Sequence, residues 1–288
     1  MTSLDAPAKS PESTHSRRRA PGDVRGTTAR RDSGRAVRWA QRAAGIGGTL
    51  VLWHLYAIGP GEAVSMPTPL TVVRRIGELA QQTSYWTSIG ETLLLAAMGL
   101  MTSILIGVPL GLLNGTSEKV TQATQFIVDF LRTVPPIAVV PVLLLIWGGT
   151  TTMGLILITF GAVWPLLVQA TYAMQQVSPQ LKQVARAFQL SPVQQLRSIY
   201  LPSVLPFLMT GFRVASTLAL LLSVVAGFFG GVSGIGADLY ETLEISDPPT
   251  MFVYAITTAF LGVLLNALLL ALQNRVLRWH PSVRGDQR

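Results

Sequence analysis

The chain has 288 residues, 49% of them hydrophobic and 12% charged, with a formal net charge of +8; a soluble domain carries about 25% charged residues, so the composition excludes an ordinary water-soluble protein. Ten of the 22 Lys and Arg stand before residue 43, which makes the basic surplus a membrane-orientation signal and not a nucleic-acid surface. The lack of cysteine excludes disulfides, thiolate metal sites and a cysteine nucleophile, and His15, His54 and His280 are too far apart in sequence for a metal-type spacing.

Residues 1–37 are rich in Arg, Ser, Thr, Pro, Gly and Asp. They hold too little apolar surface to offset ordering entropy, which predicts a disordered basic tail. Arg17, Arg18 and Arg19 suggest a twin-arginine signal, but the apolar run starts only near Ala43 and no A-x-A pattern follows, so an uncleaved first span is expected. Six apolar segments follow, near 43–59, 92–113, 123–147, 153–174, 201–229 and 251–272. The first is short, with Trp39 and Trp53 placed to seat it at the interfaces. The third is interrupted at Pro135-Pro136, and the fifth carries Pro202 and Pro206 early. All six are expected to be helical, since an open strand edge in lipid leaves amides unpaired at several kcal/mol apiece. The resulting fold class is all-α: a polytopic membrane protein of about six transmembrane helices. Its expected division is a tail (1–37), a first span with an external loop (38–90), a transmembrane domain (91–275) and a C-terminal tail (276–288).

Basic residues alternate along the loops. They crowd the N-terminal tail, recur at Lys119 and Arg132, again at Lys182, Arg186 and Arg197, and after the last span at Arg275, Arg278, Arg284 and Arg288. The intervening loops hold Arg74 and Arg75, none, and none, the last carrying Asp238, Glu241, Glu244 and Asp247. This alternation predicts that both termini are cytoplasmic.

Residues 178–202 are too polar to span and too apolar for a linker. Ser178-Pro179 reads as an N-cap followed by proline at the first helical position. Leu181, Val184, Ala185 and Phe188 then share one helical face, with Lys182, Gln183 and Arg186 mostly elsewhere. Ser191-Pro192 repeats the start signal, and Val193, Leu196 and Ile199 form a second stripe leading into the fifth span. Two short amphipathic helices are expected, with a turn near Gln189-Leu190. An apolar face outside the membrane must be covered by headgroups, by the chain's own spans or by a partner; periodicity alone leaves these open.

The segment resembles the cytoplasmic loop of bacterial ABC importer permeases, which shows E-A-A, a Gly six residues after the Glu, and I-x-L-P ten residues after the Gly. Here Gln183-Val184-Ala185, Gln189 and Ile199-Tyr200-Leu201-Pro202 keep that spacing. Arg132-Thr133-Val134-Pro135-Pro136-Ile137-Ala138 is similar to the R-x-x-P-P-x-A element of the nitrate, sulfonate and taurine branch. So are the stretch from Leu205 to Gly211-Phe212-Arg213, the turn Gly234-Ile235-Gly236, and the ending Val276-Leu277-Arg278-Trp279-His280. The resemblance covers about residues 65–281. It implies that Leu181, Gln183, Val184, Ala185, Arg186, Phe188 and Gln189 form a coupling segment on an ATPase subunit, with Val184, Ala185 and Phe188 docking and Arg186 at the rim. It also implies a second permease copy or a paralogous permease, an extracytoplasmic solute-binding protein, and residence in the bacterial plasma membrane among lipids. ATP and Mg would sit on the ATPase, with no cofactor bound by this chain and no nucleic acid. The solute expected is small, such as a sulfonate, nitrate or similar anion. Three positions depart from the pattern: Gln183 replaces its Glu, Gln189 its turn Gly, and Gly227 a late Glu in the fifth span. If the turn keeps a positive φ, Gln189 costs it about 1 kcal/mol.

The chain carries no G-x-x-x-x-G-K-[ST], G-x-S-x-G or H-E-x-x-H stretch, so an enzyme of those classes is not expected. Asp129 and Arg132 stand at i, i+3, which predicts a local ion pair. Arg213 lies well inside a span, where a charge faces protein or water. It is either an anion contact or a structural pairing to backbone carbonyls or to a carboxylate at a subunit interface. Arg132, Pro135, Pro136, Arg213, Gly234 and Gly236 are thus candidates for the pathway or a subunit interface. Residues 227–236 form either a re-entrant loop or a surface turn. The rival readings are a secondary transporter, which wants embedded ionisable pairs, and a membrane-anchored scaffold or sensor working through its basic tail.

Overall fold

The structure, a computed structural model, describes residues 27–278, without the side chains of residues 27–40, 42, 63, 64 and 182. The chain divides into two compact units, Met1–Leu55 and Tyr56–Arg288. The described part of the first belongs to helix α1, Thr27–Ala57. This helix starts inside the segment expected to be an unstructured tail. Ala and Arg are frequent in its first half and no proline follows Pro21 before the apolar run, so a helix once nucleated propagates back toward Thr27. Residues 1–26, and residues 279–288 with Trp279 and His280 among them, lie outside the described residues.

The second unit is built from helices α2 (Pro69–Leu79), α3 (Thr83–Asn114), α4 (Glu118–Thr133), α5 (Pro136–Trp147), α6 (Thr151–Gln175), α7 (Pro179–Ala187), α8 (Pro192–Gln195), α9 (Leu201–Gly230), α10 (Ile235–Glu244) and α11 (Pro248–Val276). Among the described residues four stretches are long and apolar enough to cross a membrane, within Thr83–Asn114, Thr151–Gln175, Pro192–Glu244 and Pro248–Val276. The α4–α5 pair, bent by 82°, makes a fifth if counted as one span. The expected first span amounts to Ala43–Ala57, short of the ~20 residues that match a bilayer core.

Helix α6 is the centre of this unit, packed between α3 and α9. Helix α3, parallel to α6, presents small residues every fourth position, Gly99, Ser103, Gly107, Gly111 and Gly115, a spacing that lets helix backbones approach closely. At Gly111 a Cβ would stand 2.3 Å from the Leu167 carbonyl oxygen, so no larger residue fits there. Antiparallel α9 closes the other side, and Leu95, Leu143, Met153, Leu157, Ile158, Leu222 and Ala226 form a shared apolar core. The outer surface is apolar too, with Leu105, Phe126, Leu145 and Val263 exposed, as a bundle solvated by lipid requires.

Candidate functional site

The segment between α6 and α9 folds as the two predicted helices. Pro179 opens α7, although the Ser178 hydroxyl bonds the Gln180 side chain instead of capping the helix. The helix ends in a Schellman-type turn: Leu190 N–H donates to the Ala185 carbonyl at 3.0 Å and Gln189 N–H to that of Arg186 at 3.1 Å. Gln189 occupies the left-handed position of this turn with φ +49°. The conformation that glycine adopts freely is therefore kept by a residue with a Cβ. Ser191 and Gln194 then form a reciprocal capping box, the Ser191 N–H donating to Gln194 Oε1 at 2.8 Å. A π turn over Leu196–Tyr200 joins α8 to α9, the Leu201 N–H reaching the Leu196 carbonyl. The wider turn stands where Pro202 withholds an N–H and its ring would crowd the carbonyl four residues before it.

The apolar stripe of α7 splits in two. Ala185 is 2% exposed and packs with Ala173, Val177, Ile199 and Val204 of the chain itself. It is thus unavailable for docking, contrary to the role the resemblance implied, because it is the residue that holds α7 against α6 and α9. Leu181, Val184 and Phe188 remain open, Phe188 to 75%, and Val193 and Leu196 extend the patch across the turn. Gln183, Arg186 and Gln189 are exposed beside it.

The remaining candidates lie elsewhere. Arg132 pairs with Asp129 at 3.0 Å on α4, as their spacing predicted. Val134 and Pro135 are extended, so α4 ends there and α5 restarts with Pro136 at its first position. Arg213 donates from Nε to Asn266 Oδ1 at 2.9 Å, tying α9 to α11. A structural partner is therefore present within the chain, an amide where a backbone carbonyl or carboxylate was expected. Helix α9, at 30 residues, separates the α7–α8 end from the α10 end by roughly 45 Å.

At the α10 end Gly234 has φ +131°, and the following Ile235 N–H donates to Thr92 Oγ1 of α3 at 2.9 Å. A Cβ on Gly236 would stand 2.1 Å from the Val224 carbonyl oxygen, and one on Gly227 would stand 2.8 Å from Gly236 Cα. Residues 227–236 therefore form a pinned junction and not a loose surface turn. The space where the resemblance expects a Glu is filled by the backbone of α10. Nearby, Arg75 of α2 donates from Nε to Thr250 Oγ1 at 2.7 Å and lies 3.3 Å from Asp247 and 2.9 Å from Glu78. Burial raises the Asp247 carboxyl, but hydrogen bonds from Thr250 and the Arg75 charge outweigh it and hold the group below the usual carboxylate range.

Sequence reasoning missed two polar constellations. One is the Arg75 network just described. The other surrounds Asn114 at the end of α3, whose amide donates to Thr171 Oγ1 at 3.3 Å and whose Oδ1 accepts from Thr124 at 2.6 Å. A lone Asn closing an apolar run was the available signal for it.

Fold and site together define a polytopic helical membrane protein that carries an exposed amphipathic helix pair between two of its spans. A family model described as "Binding-protein-dependent transport system inner membrane component" matches residues 99–278, and the chain belongs to that family. It is similar, at 28% identity over 82% of this chain and 86% of the relative, to a Bacillus subtilis (strain 168) protein provisionally named as an aliphatic sulfonates transport permease. A nitrate import permease protein of Leptolyngbya laminosa is 28% identical over 79% of this chain and 84% of the relative. The taurine transport system permease protein of Escherichia coli (strain K12) is 25% identical over 81% and 87%. Among solved structures, a chain of the MetNI methionine ABC transporter in an inward-facing form shares the fold, with TM-score 0.57 and 22% identity over 67% of this chain and 94% of that one. The chain is accordingly a permease subunit of an ABC importer, a transport component of the inner membrane.

Proposed function

We propose that this permease couples ATP hydrolysis on a separate ATPase subunit to the passage of a small anionic solute, and that the α7–α8 segment is its docking element. The observation that carries the reading is the open patch of Leu181, Val184, Phe188, Val193 and Leu196, displayed on helices that Ala185 and Ile199 clamp to the bundle. A patch of this kind seeks cover. Held at its base by packing, it can transmit a pull from whatever covers it to α6 and α9. Arg186 supplies a polar contact at the rim.

In this reading the α7–α8 end and both termini face the cytoplasm, as the alternation of basic loops supports. The α10 end then meets an extracytoplasmic solute-binding protein. A second permease, identical or paralogous, completes the pathway. ATP and Mg reside on the ATPase, and this chain holds no cofactor. Relatives named for sulfonates, nitrate and taurine support a sulfonate or a comparable anion as the solute.

The chain has no cysteine, so Val184→Cys and Phe188→Cys give unique attachment points. Co-expressed with the cognate ATPase, both positions are expected to crosslink to that subunit in a preparation that imports solute with ATP. Transport without any such crosslink, or uptake driven by an ion gradient in the absence of ATP, overturns the reading and favours a secondary transporter.

A further inference from the structure

Helix α2 carries an apolar surface that the bundle does not use. Its 11 residues make about 16 Å of helix, roughly half of what a bilayer core requires, so it does not span. Three rows of residues run along it at i, i+3, i+7 spacing. Val72 and Leu79 are buried, on the row that also holds Arg75. Thr71, Arg74 and Glu78 form an exposed polar row. Leu70, Val73 and Gly77 form the third. Leu70 and Val73 are 66% and 64% exposed, and a Cβ at Gly77 would meet nothing within 4 Å. A helix with one buried face and water on the others carries polar residues on both of those; α2 does so on one.

Two fastenings fix the level of α2. Arg75 Nε donates to Thr250 Oγ1 in the first turn of α11. Trp86, in the first turn of α3, donates from Nε1 to the Ala80 carbonyl at 2.9 Å, just past the end of α2. The helix therefore lies where two helices long and apolar enough to cross a membrane begin, and that is the level at which headgroups meet acyl chains. Trp86 is exposed there, a position that tryptophan favours in membrane proteins. Farther along the same two helices the surface continues apolar, through Leu93 and Leu94 of α3 and Ile256 and Phe260 of α11. On the polar side an open cleft of about 370 Å³ is walled by Thr71, Arg74, Arg75, Glu78, Asp247 and Pro249. Arg75 is matched there by Glu78 and Asp247. Arg74 is exposed and makes no hydrogen bond or ion pair among the described residues.

We propose that α2 is an interfacial anchor seated in phospholipid. Leu70 and Val73 enter the acyl layer, and Arg74 holds a lipid phosphate at the mouth of the cleft. An apolar row beside a basic residue is the pattern of a helix that lies in a membrane surface, and a long basic side chain reaches from an apolar setting to the headgroups. Arg75 joins the anchor to the end of α11. The anchor needs only the membrane setting, so it stands or falls apart from the coupling to an ATPase.

The test uses the full chain, purified with its partner subunits and placed in nanodiscs of phosphatidylglycerol. Because the chain has no cysteine, Leu70→Cys, Val73→Cys and Thr71→Cys each give a single spin-label position, and each variant is first matched to the parent in thermal midpoint. Labels at 70 and 73 are expected to be several-fold more accessible to oxygen, which dissolves in lipid, than to a water-soluble nickel chelate, and the label at 71 to show the reverse. Equal nickel access at all three positions overturns the proposal. So do labels at 70 and 73 that neither reagent reaches, because a protein then covers the row. With the label at 73, Arg74→Gln is expected to raise nickel access several-fold in phosphatidylglycerol and to change nothing in nanodiscs of digalactosyl diacylglycerol, which has no phosphate. An equal effect in both lipids, or an effect in neither, overturns the phosphate contact.

Discussion

The two ends of the bundle are built differently. At the α10 end, Gly227, Gly234 and Gly236 bring backbones into contact, and Ile235 is hydrogen-bonded to Thr92 across 143 residues of sequence. Arg75 fastens α2 to the start of α11, and the Tyr85 and Thr257 hydroxyls share a buried 2.6 Å hydrogen bond between α3 and α11. At the α7–α8 end the caps and turns are local, and while Ala185, Leu190, Ile199 and Tyr200 pack on the chain, Leu181, Val184, Phe188, Val193 and Leu196 are exposed. Apart from the open row of α2, one end is satisfied within the subunit. The other leaves its apolar surface for something else to cover, and its turn holds a residue in a conformation that disfavours it.

Substitutions sharpen that contrast. The largest effect is expected at the closed end. Gly236→Val forces a side chain into the Val224 carbonyl, and overpacking of this kind costs roughly 3 kcal/mol. Loss of monodisperse protein and a lower thermal midpoint in detergent are the readouts; an unchanged midpoint means the junction yields easily. Phe188→Ala at the open end is expected to leave stability within about 0.5 kcal/mol of wild type, as for exposed sites. Affinity for the ATPase should nevertheless fall by at least about tenfold, the scale of an interface anchor. Pull-down with a titrated ATPase measures it, and equal affinity removes Phe188 from the docking patch.

A smaller gain is expected from Gln189→Gly, which relieves the left-handed turn by up to about 1 kcal/mol. Gln189→Ala keeps the Cβ and should give none, so the difference between the two variants in hydrogen exchange of α7 isolates the backbone effect. The smallest effect concerns pH. The Asp247 carboxyl is held below its ordinary value in the folded chain, so it binds a proton less well folded than unfolded. Its stabilisation is complete above the unfolded value of about 3.9 and is lost as pH falls through the lower folded value. Asp247→Asn should flatten that part of the decline in the thermal midpoint between about pH 5 and pH 3; an unaltered slope means the Arg75 network does not stabilise the fold.

Local chemistry was legible wherever the residues that decide a feature are neighbours in sequence. Long apolar runs located α3, α6, α9 and α11, because lipid demands continuous stretches of helix. Ser191-Pro192, the turn near Gln189-Leu190, the Asp129–Arg132 pair and the break at Pro135-Pro136 each depend on no more than a few adjacent side chains. The start of α1 was misplaced because charged residues with good helix propensity look alike in a tail and in the polar end of a helix. Tertiary structure alone decided which member of the α7 stripe turns inward, since period 3.6 defines a face but not what lies against it. It also decided that Arg213 meets Asn266 and that α10 fills the space beside Gly227. Those outcomes depend on the approach of helices far apart along the chain, and that approach is set by backbone contact between small residues on α3, α6, α9 and α10.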